Sequence, residues 1–180
     1  MRALDIGGID RLSDALNNFR CYKDKDIEHF LREQAFEFLR RNWCAVYLIL
    51  DADSFDSGEI KVHAYFTLSH KTLIPEGVSK SKIKLASGFK DSTSIHFVLI
   101  GQLGKHIEKL DNGTELCSPI TSTAILDYAF EVIHSADSLI PCRCVLVECS
   151  DNPKVHQVYK DYDFSEFQYD GYHYQFYKKI

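Results

Sequence analysis

The stretch Val145 to Phe164, VLVECSDNPKVHQVYKDYDF, decides how this chain is read. Val145 to Cys149 is an apolar run of strand length that stops at the polar residues Ser150, Asp151 and Asn152. Pro153 suits the first position of a helix, where its missing N–H costs nothing. That helix carries Tyr159 near its end, and an aromatic-rich return follows. Open α/β sheets place ligands at strand ends of this kind. Asn152 in the turn and the Tyr159 phenol, about two turns along the helix, offer polar groups to one crevice.

The preceding chain supplies the rest of a sheet. Asp24 opens a helical pattern with Ile27, Phe30, Leu31, Ala35, Phe38 and Leu39 on one face. Asp24 and Asp26 suit its start and Arg40 and Arg41 its end, given the helix dipole. Residues 1–24 are expected to form an irregular arm or a short helix. Cys44 to Leu50, CAVYLIL, predicts a central strand buried on both faces. Asp51 to Gly58 predicts a turn. Val62 to Leu68 alternates and predicts a half-buried strand antiparallel to the last.

Residues 75–93, rich in Ser, Lys and Gly, read as a loop or an insertion. Ile95 to Ile100, IHFVLI, is a further strand. A Gly-containing loop from Gly101 to Pro119 leads to a helix from Ile120 to Ala136, and Tyr172 to Tyr177 alternates as a last strand. The expectation is one domain, 1–180, of mixed α/β class. Its sheet is antiparallel early, partly parallel late, and flanked by helices.

At 180 residues the chain can bury roughly 70% of its unfolded surface. Aromatic residues at 13% argue against disorder. A net charge of −5 argues against non-specific binding to nucleic acid or membranes, both anionic. Lys80, Lys82 and Lys84, and Arg40 with Arg41, read as solvated loop and helix-end charges. There is no apolar segment of a secretory signal and no apolar run approaching about 18 residues, so no membrane span and a cytoplasmic location are expected. The cysteines Cys21, Cys44, Cys117, Cys142, Cys144 and Cys149 are then reduced thiols. The spacing of Cys142 and Cys144 is not that of a C-x-x-C pair, and no metal site is expected.

The helix from Ile120 follows a strand and a polar loop. Its first N–H groups lack internal partners, so with the helix dipole they suit a phosphate or pyrophosphate. Thr121, Ser122 and Thr123 add hydroxyl donors, although the same residues also serve simply to cap a helix.

From Phe19 to Ile180 the chain resembles the GNAT N-acetyltransferase superfamily. Asn152, Val155, Tyr159 and Phe164 match the late motif N-x-x-A-x-x-x-Y-x-x-x-G-F, with Asp163 in place of its glycine. Ile100 to Leu103, I-G-Q-L, resembles the L-G-R-L of the family's fourth strand. Ala64 to Ser69, AYFTLS, resembles the G-Y-F-T-L-S of one bacterial branch, in which Phe19 and Cys21 match an F-x-C before a helix. The pyrophosphate loop departs from the pattern. Where the family carries Q/R-x-x-G-x-G/A, this chain has Cys117-Ser118-Pro119-Ile120-Thr121-Ser122.

The resemblance implies a GNAT fold and acetyl-CoA as acyl donor. Leu103, Gly104 and Lys105 would pair with the pantetheine arm, and Thr121, Ser122 and Thr123 would hold the pyrophosphate. Asn152 would hold the cofactor's amide or a water, or else only start the turn before Pro153. Tyr159 would protonate the leaving thiolate. A phenol near ~10 can lend a proton to a thiolate whose parent lies near ~8.5. For the base that frees the amine, Glu148 ranks first, ahead of Asp151, His96 and a water relay. Glu148 shares a strand face with Cys144 and Leu146, so partial burial is expected to raise its pKa.

The implied reaction is direct acetyl transfer to an amine acceptor that the sequence does not name. The same branch contains toxins that acetylate aminoacyl-tRNA and pair with an antitoxin. The charge of −5 makes tRNA the weaker reading. A non-catalytic acyl-CoA-binding module is the rival, motivated by the missing loop glycines. A homodimer is compatible with the chain.

Overall fold

The computed structural model describes residues 9–180. Its strands are β1 (Ala45–Leu50), β2 (Val62–Leu73), β3 (Ile95–Lys105), β4 (Ile107–Lys109), β5 (Glu115–Cys117), β6 (Cys144–Cys149), β7 (Ser165–Tyr169) and β8 (Tyr174–Lys179). Six form a mixed sheet in the order β1-β2-β3-β6-β8-β7, and β4 and β5 form a separate hairpin. The helices are α1 (Ile9–Asn17), α2 (Lys25–His29), α3 (Ala35–Arg40), α4 (Ala52–Asp56), α5 (Lys80–Ser87), α6 (Ser122–Asp137) and α7 (Pro153–Asp161). The class is mixed α/β, as the sequence predicts. The chain divides into two units, Met1–Thr67 with Gln102–Ile125, and Leu68–Gly101 with Leu126–Ile180.

In the first unit, Asp24 caps α2 by accepting from the Asp26 and Ile27 N–H groups. A π turn, Phe30–Gln34, joins α2 to α3. Its extra residue shifts the helical phase. Phe30, Leu31 and Ala35 are therefore buried as predicted, Phe38 is half-buried, and Leu39 is exposed. Residues 1–8 of the predicted arm lie outside the described residues. From Ile9 the arm is helical, and α1 buries Leu12, Ala15 and Leu16 against Phe19, Phe30 and Tyr65.

The continuous apolar run of β1 does not make it central. β1 ends the strand order, and all six of its residues are half-buried. Val46, Leu48 and Leu50 pack on the unit's core, while Tyr47 stacks on Phe66 at 4.9 Å. Its apolar character records two part-covered faces. β2 is the buried strand, with six consecutive buried residues from Val62 to Thr67. The polar side chains among these six have partners, as burial requires. Tyr65 donates to the Ile27 carbonyl at 2.7 Å, Thr67 Oγ1 accepts from the Gln102 N–H at 2.9 Å, and His63 meets Asp51 at 2.8 Å.

The Asp51 carboxyl also accepts from the Ser54 N–H at 2.8 Å, capping α4. Hydrogen bonds from Ser54, and then His63, hold Asp51 down at about 2. An Asp lowered in the folded state contributes stability that is complete above its unfolded value near ~4 and is lost as pH falls toward ~2. The urea midpoint is therefore expected to fall between about pH 5 and 3 in the native protein, and to fall less in Asp51→Asn.

The long loop predicted from Gly101 to Pro119 is instead the end of β3 and the β4–β5 hairpin. Its turn is Asn112-Gly113, with Gly113 at φ 84° and the Thr114 N–H donating to Asn112. The three-residue strands are too short to show as a pattern. The hairpin is tied to the arm before α2, where Ile107 bonds Arg20 and Tyr22 through the backbone.

In the second unit, the predicted loop at 75–93 contains α5. Ser79 caps its start, and Gly88 at φ 93° ends it. It buries only Ile83 and Ala86, too few for a visible period. α6 buries Leu126, Ala129, Phe130 and Ile133, and leaves Tyr128 and Ala136 exposed. β7 is a strand that the sequence reading does not anticipate. It pairs antiparallel with β8, which pairs antiparallel with β6. The strand that α7 leads into therefore runs along β6 but not beside it, and the parallel neighbour of β6 is β3.

Candidate active site

In the second unit, β3 and β6 share a parallel register over Val98↔Val145, Leu99↔Leu146 and Ile100↔Val147. The register stops there, but both strands run on, β3 to Lys105 and β6 to Cys149.

β6 then opens into the predicted turn and helix. Asn152 caps α7, its side-chain oxygen accepting from the Lys154 N–H at 3.1 Å, with Pro153 in the first turn. Asn152→Ala is therefore expected to cost about 1 kcal/mol, and Asn152→Asp much less, in urea unfolding. Asp163 occupies the motif's glycine position at φ 64°, and the Phe164 N–H returns to the Tyr159 carbonyl at 2.9 Å. Asp tolerates this left-handed backbone better than most residues.

Tyr159 is 8% exposed. Its ring packs on Phe164 at 5.6 Å and Phe176 at 6.0 Å. Its hydroxyl has no hydrogen-bond partner among the described residues. Burial, and then the Cys149 thiol, push the phenol well above its ordinary value.

Glu148 lies on the other face of β6. Cys144 and Leu146, on its side of the strand, pack with Ile83 and Ala86 of α5. Lys71 Nζ stands 2.8 Å from one Glu148 oxygen, and Gln175 Nε2 donates to the other at 2.6 Å. Tyr159 and Glu148 are thus brought to opposite faces of one strand end. His96 is elsewhere engaged, with Thr72 at 2.9 Å, and Asp151 is exposed. The sequence reading misses Lys71 and Gln175. A buried Gln inside the aromatic strand Tyr174 to Tyr177 was the available signal.

In the first unit, Leu103 and Lys105 are half-buried and Gly104 is buried. A β-carbon at Gly104 would stand 2.3 Å from Ile27 Cγ2 and 2.8 Å from Tyr65 Cε1. Close packing on α2 and β2 accounts for this glycine. Thr121 caps α6, its hydroxyl oxygen accepting from the Ala124 N–H at 3.1 Å. The Ser122 and Thr123 N–H groups have no partner among the described residues. Ser118, buried, accepts from the Ile120 N–H at 3.2 Å and so fixes the approach to the helix without a loop glycine.

No family model and no curated relative matches the sequence. Solved structures do match. A tyrosine-to-phenylalanine mutant of KacT aligns with a TM-score of 0.70 at 16% identity, over 95% of this chain and 91% of that one. AtaT complexed with acetyl-methionyl-tRNAfMet aligns with a TM-score of 0.68 at 21% identity, over 91% and 86%. A tyrosine-to-phenylalanine mutant of the AtaT toxin, bound to the C-terminus of the antitoxin AtaR and acetyl-CoA, aligns at 0.65 and 18%, over 93% and 88%. The chain has the GNAT fold. In that fold the parallel β3–β6 pair and the strand–turn–helix ending at Tyr159 are the elements that carry the motif matches. No helix among the described residues is long and apolar enough to cross a membrane.

Proposed function

We propose that this protein is an acetyl-CoA-dependent N-acetyltransferase. The observation that carries the reading is the likeness in fold to the AtaT mutant bound to acetyl-CoA, with β3 and β6 paired in parallel up to Ile100↔Val147. In this reading the backbone of Leu103, Gly104 and Lys105 pairs with the arm. The start of α6, with Thr121, Ser122 and Thr123, holds the pyrophosphate, as an unpaired helix N-terminus favours. Asn152 keeps α7 in place and adds a polar group beside the acyl end.

The acceptor amine attacks the thioester carbonyl directly. Tyr159 gives its proton to the departing thiolate, and Glu148 takes a proton from the acceptor's ammonium. The structural likeness to AtaT bound to acetyl-methionyl-tRNAfMet favours one acceptor class, the α-amino group of an aminoacyl-tRNA. The likeness to AtaT bound to the AtaR C-terminus likewise favours an antitoxin peptide as a partner. The reading carries a cytoplasmic location.

Thermal-shift titration with acetyl-CoA should stabilise the fold by RT ln(1 + [L]/Kd). Free thiol should then appear when total aminoacyl-tRNA or pooled amines are added. Stabilisation without thiol would favour a non-catalytic acyl-CoA-binding module, and no stabilisation at saturating acetyl-CoA would overturn both readings.

A further inference from the structure

The carboxylate of Glu148 sits in a frame of its own. Lys71 from β2 stands 2.8 Å from Oε2. Gln175 from β8 donates to Oε1 at 2.6 Å and, with the same nitrogen, to Asp170 Oδ2 in the β7–β8 turn at 3.2 Å. From α5, the Lys82 ammonium is turned to the Phe167 carbonyl at 3.3 Å. Gln175 is 1% exposed, and its own Oε1 has no hydrogen-bond partner. The amide cannot be reversed, because its carbonyl oxygen would then face two carboxylates.

A buried amide oxygen left unpaired works against stability, and an apolar side chain at 175 would avoid that cost. What Gln175 secures instead is the direction of Glu148. The Glu148 side chain keeps 17% of its surface exposed, so the framed carboxylate can still be reached from outside.

We propose that Gln175 and Lys71 are positioning residues that hold Glu148 at the open end of β6 to take the proton of the acceptor ammonium. This rests on the acetyltransferase reading. The ammonium gives one proton to Glu148 and becomes a nucleophilic amine. Its nitrogen bonds the acetyl carbon, the C–S bond breaks, and the thiolate takes the Tyr159 proton. A second nitrogen-bound proton returns to the phenolate, and Glu148 passes its proton to water. One proton is released per acetyl group transferred.

The test is kcat and KM for methionyl-tRNA and for methionine amide, read beside the acetyl-CoA affinity and the melting temperature. Gln175→Met should lower kcat about tenfold on both acceptors, with the acetyl-CoA affinity and the melting temperature unchanged. Lys71→Met, at a partly exposed position, should lower kcat the same way, and Lys71→Arg should restore it. If Gln175→Met does not fold, the lysine pair decides. A kcat that stays at the native value, or one that falls only together with the melting temperature, overturns the assignment while leaving the acetyltransferase reading standing. A native protein that transfers acetyl to neither acceptor overturns the reading and the assignment together.

Discussion

Tyr159→Phe is expected to slow acetyl transfer roughly 100- to 1000-fold and to leave the melting temperature where it was. A positioned general acid contributes about 100- to 10,000-fold, and a phenol is a reasonable donor to a thiolate. The hydroxyl has no hydrogen-bond partner among the described residues, so its loss leaves no buried group stranded. The ring contacts with Phe164 and Phe176 survive the change. Burial, and then the Cys149 thiol, raise the phenol above its ordinary value. An acid must be protonated to act, so the alkaline limb of the native rate should lie above the usual ~10. Thiol release assayed beside a melting curve checks both halves. An unchanged rate would remove Tyr159 from the chemistry, and a large fall in melting temperature would mark a packing role instead.

Gly104→Ala should destabilise the fold by about 1–3 kcal/mol. At this chain length each kcal/mol corresponds to roughly 2–4 °C of melting temperature. The added β-carbon would meet Ile27 Cγ2 at 2.3 Å and Tyr65 Cε1 at 2.8 Å. Tyr65 has little room to retreat. It is fully buried, its hydroxyl is bonded to the Ile27 carbonyl, and its ring meets Phe19 edge-on at 5.5 Å and Phe30 face to face at 6.2 Å. Trimming the partner, as Gly104→Ala with Ile27→Ala, should return part of the lost stability relative to the sum of the single changes. The alanine keeps the backbone groups, so residual folded protein should still respond to acetyl-CoA. A Gly104→Ala variant that melts like the native protein would show that α2 can move away at little cost.

Local chemistry was legible wherever a short segment carried its own signal. Asp24 caps the helix it was expected to open, and Asn152, expected in the turn, caps α7, with Pro153 in its first turn. The apolar run of β6 and its parallel partner β3 also follow from pattern. Elements that bury few side chains did not announce themselves. α5 buries two residues, β4 and β5 are three residues long, and β7 carries a bulge between Glu166 and Gln168 that breaks its alternation. The π turn at Phe30–Gln34 moved Leu39 out of the face that a regular helix would have given it.

The sequence by itself determined the α/β class, the strand–turn–helix from Val145 to Phe164, and which residues stand in that turn and helix. Period and capping are properties of neighbours along the chain, so they can be read without the fold. Only the tertiary structure decided that β1 ends the sheet, that β8 lies between β6 and β7, and that Gly104 is a packing glycine. Only it set Tyr159 and Glu148 on opposite faces of β6 and surrounded Glu148 with Lys71 and Gln175. Those facts depend on strands distant in sequence meeting in one register, and register is fixed by the packing of both sheet faces rather than by any one segment.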